Sequence, residues 1–451
     1  RRSSAPTGSA DTGKTSSGIR IVGGGLAGVE AAHLLAGRGL RVELFEMRPQ
    51  ASTPAHTTGL LGELVCSNSL KGTDPQTAHG LLKKELARLD SLVLATAFET
   101  RVPAGKALAV DREAFAAAIT RRIESNENIR IIREEVCEID ADMPTIVATG
   151  PLTSERLAAR LAEMAGSDRL FFYDAISPIV DARSIDYSRA FFGSRWDTGS
   201  TDYLNCPLSR EEYEHFVAEL LEADRVHAHA FEDVRFFDAC LPVEVIAGRG
   251  SESLRYGPMR PVGIVNPADG RRPYAVVQLR RENLKGDAYN MVGFQTRLTY
   301  PEQKRIFSLI PALSGAVFHR YGSIHRNTYL DSPRVLKTDF SIRGHPRTFL
   351  AGQLTGVEGY LESAAAGIYA GLGLLSHLKG GELPVPPADT ALGALVQYVT
   401  EPREERFQPS NINFGIMQDP GEIHRKRRRE ARLEREYRSF ENWIDSLSGL
   451  I

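Results

Sequence analysis

An α/β fold is predicted, with a Rossmann-type nucleotide-binding domain interrupted by a smaller α+β domain, and three observations predict it. The first is an apolar run, Ile19-Arg20-Ile21-Val22, passing through Gly23-Gly24-Gly25-Leu26-Ala27-Gly28 into the helical stretch Val29-Glu30-Ala31-Ala32. The second is another apolar run over 145–148 that stops abruptly at Thr149-Gly150-Pro151. The third is a change of texture near residue 200, followed at Phe349-Leu350-Ala351-Gly352 by a return to strand, glycine and helix.

Residues 1–18 are Ser, Thr, Gly and Arg with almost no large apolar side chains, a composition that cannot repay ordering entropy. A disordered tail is predicted there; a transit peptide shares the Arg and Ser content, although Asp11 departs from it. The cradle follows. Gly23 permits the tight turn, Gly25 lets a pyrophosphate approach the backbone, and Gly28 allows helix and strand to pack closely. Gly24, Leu26 and Ala27 complete it. A second strand over 41–46 ends in Glu46, about 20 residues beyond the glycines, where a carboxylate reaches both ribose hydroxyls of an adenosine.

Pro49 and Pro54 make 48–58 a loop over the nucleotide. Residues 80–90 have helical periodicity, Asp111 starts a second helix with Glu113 in its first turn, and 129–139 alternates as a strand. A strand ending in Thr149-Gly150 returns the chain to the cofactor in flavoproteins with two dinucleotide domains, so the expected dinucleotide is FAD. The FAD-binding domain thus takes 19–200. An inserted substrate domain takes 201–320: 202–216 opens as a polar loop and enters a helix, and strand-like runs at 274–279 and 291–294 flank a turn-rich 283–287. The FAD-binding domain resumes over 321–451. There Gly352, Gly356, Gly359 and Gly367 surround a helix over 361–375, and its N–H groups either face the cofactor or belong to a glycine-rich packing helix.

With 451 residues and 42% hydrophobic side chains, the chain is long enough for two domains and a large core. Its net charge of −2 hides the basic run His424-Arg425-Lys426-Arg427-Arg428-Arg429. Glu430, Glu434 and Glu436 follow at helical spacing, so the run reads either as a solvated helix face or as a phosphate-binding patch. Four scattered cysteines form neither a disulfide framework nor a metal-ligand spacing, which fits a reducing, cytoplasmic setting and no metal. No apolar run approaches the roughly 20 residues of a membrane helix.

Cys66, in Val65-Cys66-Ser67-Asn68-Ser69, is a nucleophile if a cation or helix N-terminus lowers its pKa, and otherwise a small core hydrophobe. Cys240, in Asp238-Ala239-Cys240-Leu241-Pro242, has the same two readings, while Cys137 and Cys206 read as packing. His325, Arg326, Asn327 and Tyr329 offer flat faces and donors to a heteroaromatic ligand, or else satisfy a polar turn.

Taken together, the strings over 23–32, 53–56, 63–70, 107–113, 148–152, 202–207, 257–263, 293–296, 326–329 and 356–366 closely resemble the bacterial folate- and FAD-dependent tRNA uracil-5-methyltransferases. The resemblance runs from Ile19 to the C-terminal segment, and its most specific motifs are Val65-Cys66-Ser67-Asn68-Ser69 and Gly356-Val357-Glu358-Gly359-Tyr360-Leu361-Glu362-Ser363. It implies methylation of a T-loop uridine in tRNA, with 5,10-methylenetetrahydrofolate giving the carbon and NAD(P)H the electrons. It also implies that Cys66 and Cys240 are the two functional thiols, with their division of roles open, and adds Arg48 and Glu358 to the cofactor contacts. Arg425, Lys426 and Arg427 join His325, Arg326, Asn327 and Tyr329 as expected substrate contacts. Gly24 stands where alanine is usual, Arg281 replaces a frequent glutamine, and Val245 a frequent acid. The alternatives are the longer glucose-inhibited-division family, the same chemistry on ribosomal RNA, and a small-molecule FAD-dependent oxidoreductase, for which the two cysteine motifs have no role.

Overall fold

Short strands rich in Ile, Val and Leu bury both faces, which suits a parallel sheet covered on each side. In the computed structural model, which describes residues 18–166, 170–195, 200–226, 241–418 and 428–450, such strands form a six-stranded sheet. Its order is Ser341–Ile342, His345–Leu350, Thr145–Val147, Ile19–Val22, Val42–Phe45, Ile129–Ile132, parallel except for the first, antiparallel pair. Register decides where the site forms. Val22 pairs with Phe45 and with Val147, and Val147 pairs with Leu350, so these strands end in one row. Gly23, Glu46, Ala148 and Ala351 therefore emerge side by side at the carboxyl edge, the usual ligand edge of such a sheet. Helices Leu26–Ala36 and Tyr360–Leu378 pack against each other over this sheet.

The inserted domain is an antiparallel sheet in the order Phe191–Gly193, Tyr203–Leu208, Ala275–Arg281, Ala288–Met291, Ile179–Asp181, Phe318–Arg320. Helices Arg210–Glu222 and Tyr300–Phe307 bury Phe216, Ile306 and Phe307 in its core. This sheet corrects the boundary at 201, because it takes Ile179–Asp181 and Phe191–Gly193, strands of three residues, too short for an alternation to register. Residues 203–208 are a strand and not a loop. Pro207 is tolerated because the neighbouring Phe191–Gly193 stops at Asn205, leaving that side of the proline without a ladder partner. The strand expected over 129–139 ends at Ile132; the polar residues that follow have no regular structure.

An antiparallel ribbon, Leu170–Ala175 with Ile324–Tyr329, connects the two domains. The C-terminal helix Arg428–Ser446 buries Phe440, Trp443 and Ile444 on the nucleotide domain, and the Trp443 indole donates to Pro384 O at 2.8 Å. Along it Arg432 lies over the Phe414 ring, Arg435 pairs with Asp389 at 2.7 Å, and Arg438 pairs with Glu434. These arginines serve docking and helix-surface pairing; Arg425, Lys426 and Arg427 lie outside the described residues, as do Cys240 and residues 1–17 of the expected tail.

Candidate active site

Gly23 has φ +106°, and a Cβ on Gly28 would sit 1.8 Å from Gly23 O, so turn and helix touch backbone to backbone. Gly28→Ala is expected to cost about 1–3 kcal/mol through overpacking, read as a lower melting temperature in calorimetry. Gly25 opens helix Leu26–Ala36 and Gly359 opens helix Tyr360–Leu378, and no side chain caps either start. The free N–H groups of both helices border a cleft with about 1020 Å³ of empty space, lined by Gly23, Gly24, Gly25, Leu26 and Ala27, by Glu46 and Arg48, by Thr149 and Gly150, and by Gly352. A diphosphate is stabilised at such helix starts by N–H donors and by the helix dipole.

Glu46 lines this cleft with its carboxylate already engaged. It accepts from Gly24 N at 3.0 Å, from Arg48 N at 3.0 Å, and from the Arg48 guanidinium at 2.9 and 3.0 Å. Burial raises its pKa, but hydrogen bonds and the charge of Arg48 outweigh this and hold it below the usual carboxylate range. Buried Arg48 also reaches Glu63 at 2.9 Å. Glu63 in turn accepts from the amides and hydroxyls of Thr57 and Thr58, pinning the loop over 48–58 whose Thr53 and His56 line the cleft. Burial, then the charge of Arg48, lowers the His56 pKa to about 4, so its imidazole is neutral at pH 7. Glu63 was legible only as a neighbour of Cys66; its clamp needs a loop that folds back, which no local pattern encodes.

A second cavity, of about 790 Å³ of empty space, shares Val65, Pro151, Leu152, Gln353, Tyr360 and Ser363 with the first. Cys66 lies in it. Its N–H donates to the Tyr360 hydroxyl at 2.8 Å, and that hydroxyl donates to Ser67 O at 3.0 Å. Arg112 donates to Leu64 O and to Cys66 O and pairs with Glu282 of the inserted domain at 3.2 Å. Fully buried Asn68 donates to Val110 O and Arg281 O, both at 2.9 Å, and accepts from Arg280 Nε at 2.9 Å. The thiol is thus held where both domains meet the nucleotide cleft.

Glu358 and Gly359 line the Cys66 cavity and not the cradle, and burial followed by the charge of Asp174 pushes the Glu358 carboxyl well up. His325 and Asn327 line it as well, and burial lowers the His325 pKa to about 4. Two expected residues are placed elsewhere. Tyr329 is buried edge-on to Phe407, donating to Phe407 O at 3.3 Å, and Gly356 packs on the same ring. The side chain of Arg326 lies outside the described residues. Cys206 is fully buried, which pushes its thiol up to about 12, as packing requires; Cys137 is half-buried on an irregular segment and not packed in a strand. Gln353, Tyr360, Lys71 and Asp174 were not anticipated in the cavity wall.

A family model described as "Glucose inhibited division protein A" matches residues 18–382. The curated "Methylenetetrahydrofolate--tRNA-(uracil-5-)-methyltransferase TrmFO" of Desulfotalea psychrophila is 53% identical over 428 residues, 94% of this chain and 96% of its own. That of Moorella thermoacetica is also 53% identical, over 95% of this chain and 98% of its own. The chain belongs to the TrmFO family. The structure of Aquifex aeolicus GidA, in its form II crystal, shares only 18% identity and covers 96% of this chain and 77% of its own with a TM-score of 0.63. It shows a shared fold, while the TrmFO relatives match nearly end to end. Among the described residues, no helix is long and apolar enough to cross a membrane.

Proposed function

We propose that this TrmFO-family chain methylates C5 of a T-loop uridine in tRNA, taking the carbon from 5,10-methylenetetrahydrofolate, with FAD bound in the glycine cradle and NAD(P)H as reductant. The observation that carries this reading is that the Cys66 cavity adjoins the dinucleotide cleft, with Val65, Pro151, Leu152, Gln353, Tyr360 and Ser363 lining both. A small-molecule flavin oxidoreductase reading gives no role to the Cys66 motif, whose backbone Tyr360 and Arg112 hold there.

The cradle fits FAD: the uncapped start of helix Leu26–Ala36 at Gly25 would hold a diphosphate, Tyr360 and Ser363 of the second uncapped helix complete the wall, and Glu46 would serve a ribose. FAD, when bound, supplies the redox chemistry between NAD(P)H and the transferred carbon. The residues of the chain supply the rest. C5 of uracil is a weak nucleophile; a thiolate adding to C6 places the displaced electron pair on C5 and O4, so that C5 attacks the one-carbon unit. The C5 proton must then leave, the bond from the one-carbon unit to its nitrogen carrier breaks, and a hydride added to the resulting exocyclic methylene completes the methyl group as the thiolate departs from C6. This scheme uses two thiols, with Cys66 as one and Cys240 as the other. The Tyr360 and Arg112 hydrogen bonds fix the Cys66 backbone during both additions and eliminations.

Labelled methylenetetrahydrofolate offered with unmodified tRNA, with ribosomal RNA and without RNA tests the reading. Label is expected in tRNA alone, at the T-loop uridine. Label in ribosomal RNA alone would move the substrate, and label in neither would remove the function.

A further inference from the structure

A column of aromatic rings stands on the inserted domain beside the Cys66 cavity. Phe318 and Tyr321 are stacked at 5.3 Å and 27°, and Tyr321 and Tyr300 at 5.2 Å and 21°. The column is rooted in the core: Phe307 meets Phe318 at 6.1 Å and meets Phe294 edge-on at 5.9 Å. Its outer member, Tyr300, is 58% exposed. Core packing accounts for Phe294, Phe307 and Phe318, but not for an exposed ring stacked on the end.

The column is also tied to the cavity wall. Arg320 donates to Ala55 O at 3.2 Å, and Ala55 lines the cavity. Ile176, another lining residue, donates its N–H to Ser323 O at 2.8 Å, and the Ser323 hydroxyl is 2.9 Å from His325 Nε2. Four residue-to-residue steps lead from Tyr321 to His325, a chain reach of at most about 14 Å. Exposed Lys304 stands one turn along the helix from Tyr300, while the acids Glu302 and Glu219 are both engaged by Arg305.

We propose that Tyr300 is a stacking platform for an unpaired nucleobase of the RNA, flanking the nucleotide whose base enters the Cys66 cavity. This rests on the RNA-methylating function proposed above. A base that leaves its stack to reach the cavity exposes the face of its neighbour, and an aromatic ring recovers that face whatever the base identity. A pre-stacked tyrosine loses little side-chain freedom on binding.

The test uses the full-length FAD-loaded protein and a T-arm hairpin carrying 2-aminopurine next to the target uridine, with wild type, Tyr300→Phe and Tyr300→Ala compared. Wild type and Tyr300→Phe are expected to bind equally and to quench the probe. Tyr300→Ala is expected to bind about tenfold more weakly, equivalent to about 1.4 kcal/mol, to leave the probe bright, and to retain its FAD. Equal affinity and quenching in Tyr300→Ala would overturn the platform while leaving the RNA function standing, as would a Tyr300 patch that captures a protein and not RNA. A wild type that binds no hairpin would overturn both.

Discussion

Cys66→Ala is expected to lower single-turnover methyl transfer to tRNA by more than about 10³-fold, with FAD content and melting temperature close to wild type. No other described cysteine can replace it: Cys206 is fully buried, and neither Cys206 nor Cys137 lines either cavity. The FAD cradle does not depend on the thiol, since Cys66 lines the second cavity only. Transfer within tenfold of wild type would remove Cys66 from the chemistry.

Arg48→Ala is expected to destabilise the protein by about 3–5 kcal/mol, because it leaves two buried carboxylates, Glu46 and Glu63, without their shared cation. The effect carries a pH signature. Burial raises the pKa of both acids, but in Glu46 the hydrogen bonds and charge of Arg48 lower it further than burial raises it. In Glu63 the hydrogen bonds from Thr57 and Thr58 do the same, with a smaller contribution from His56. Folded pKa values below the unfolded ones mean stability that is complete above the ordinary carboxylate range and lost as pH falls through the folded values. Without Arg48 the pair protonates more readily, so the difference in melting temperature between wild type and variant should shrink as pH drops below about 4.5. Calorimetry across that range checks it; a difference independent of pH would count against the Arg48 clamp.

The parts of the site that could be read in advance are those in which one local segment carries the whole signal. The cradle from Gly23 to Gly28, the acid at Glu46 and the stop at Thr149-Gly150 each end a strand, and register brings strand ends together without further information. Depth was not legible. His325, Asn327 and Tyr329 share one strand face by alternation, yet the first two reach the cavity while Tyr329 is buried against Phe407. Gly356 was grouped with Gly359 by glycine content, and only the position of Phe407 separates them. The start of the inserted sheet was missed because strands of three residues hold less than two periods of alternation, and Tyr203–Leu208 because Asn205 and Pro207 look like loop residues. Asn205 is in fact buried, its amide donating to Phe191 O and Gly193 O and accepting from Gln278.

Asn68 has a mechanical meaning. One side chain spends its amide on Val110 of the nucleotide domain and on Arg281 of the inserted sheet, while its carbonyl holds Arg280 of the same strand. Breaking either half strands a buried polar group at a cost of about 1–3 kcal/mol. Two residues away sits the thiol. The cysteine loop is therefore a tie between the domains, and where the thiol sits is set jointly by the nucleotide domain and the inserted sheet.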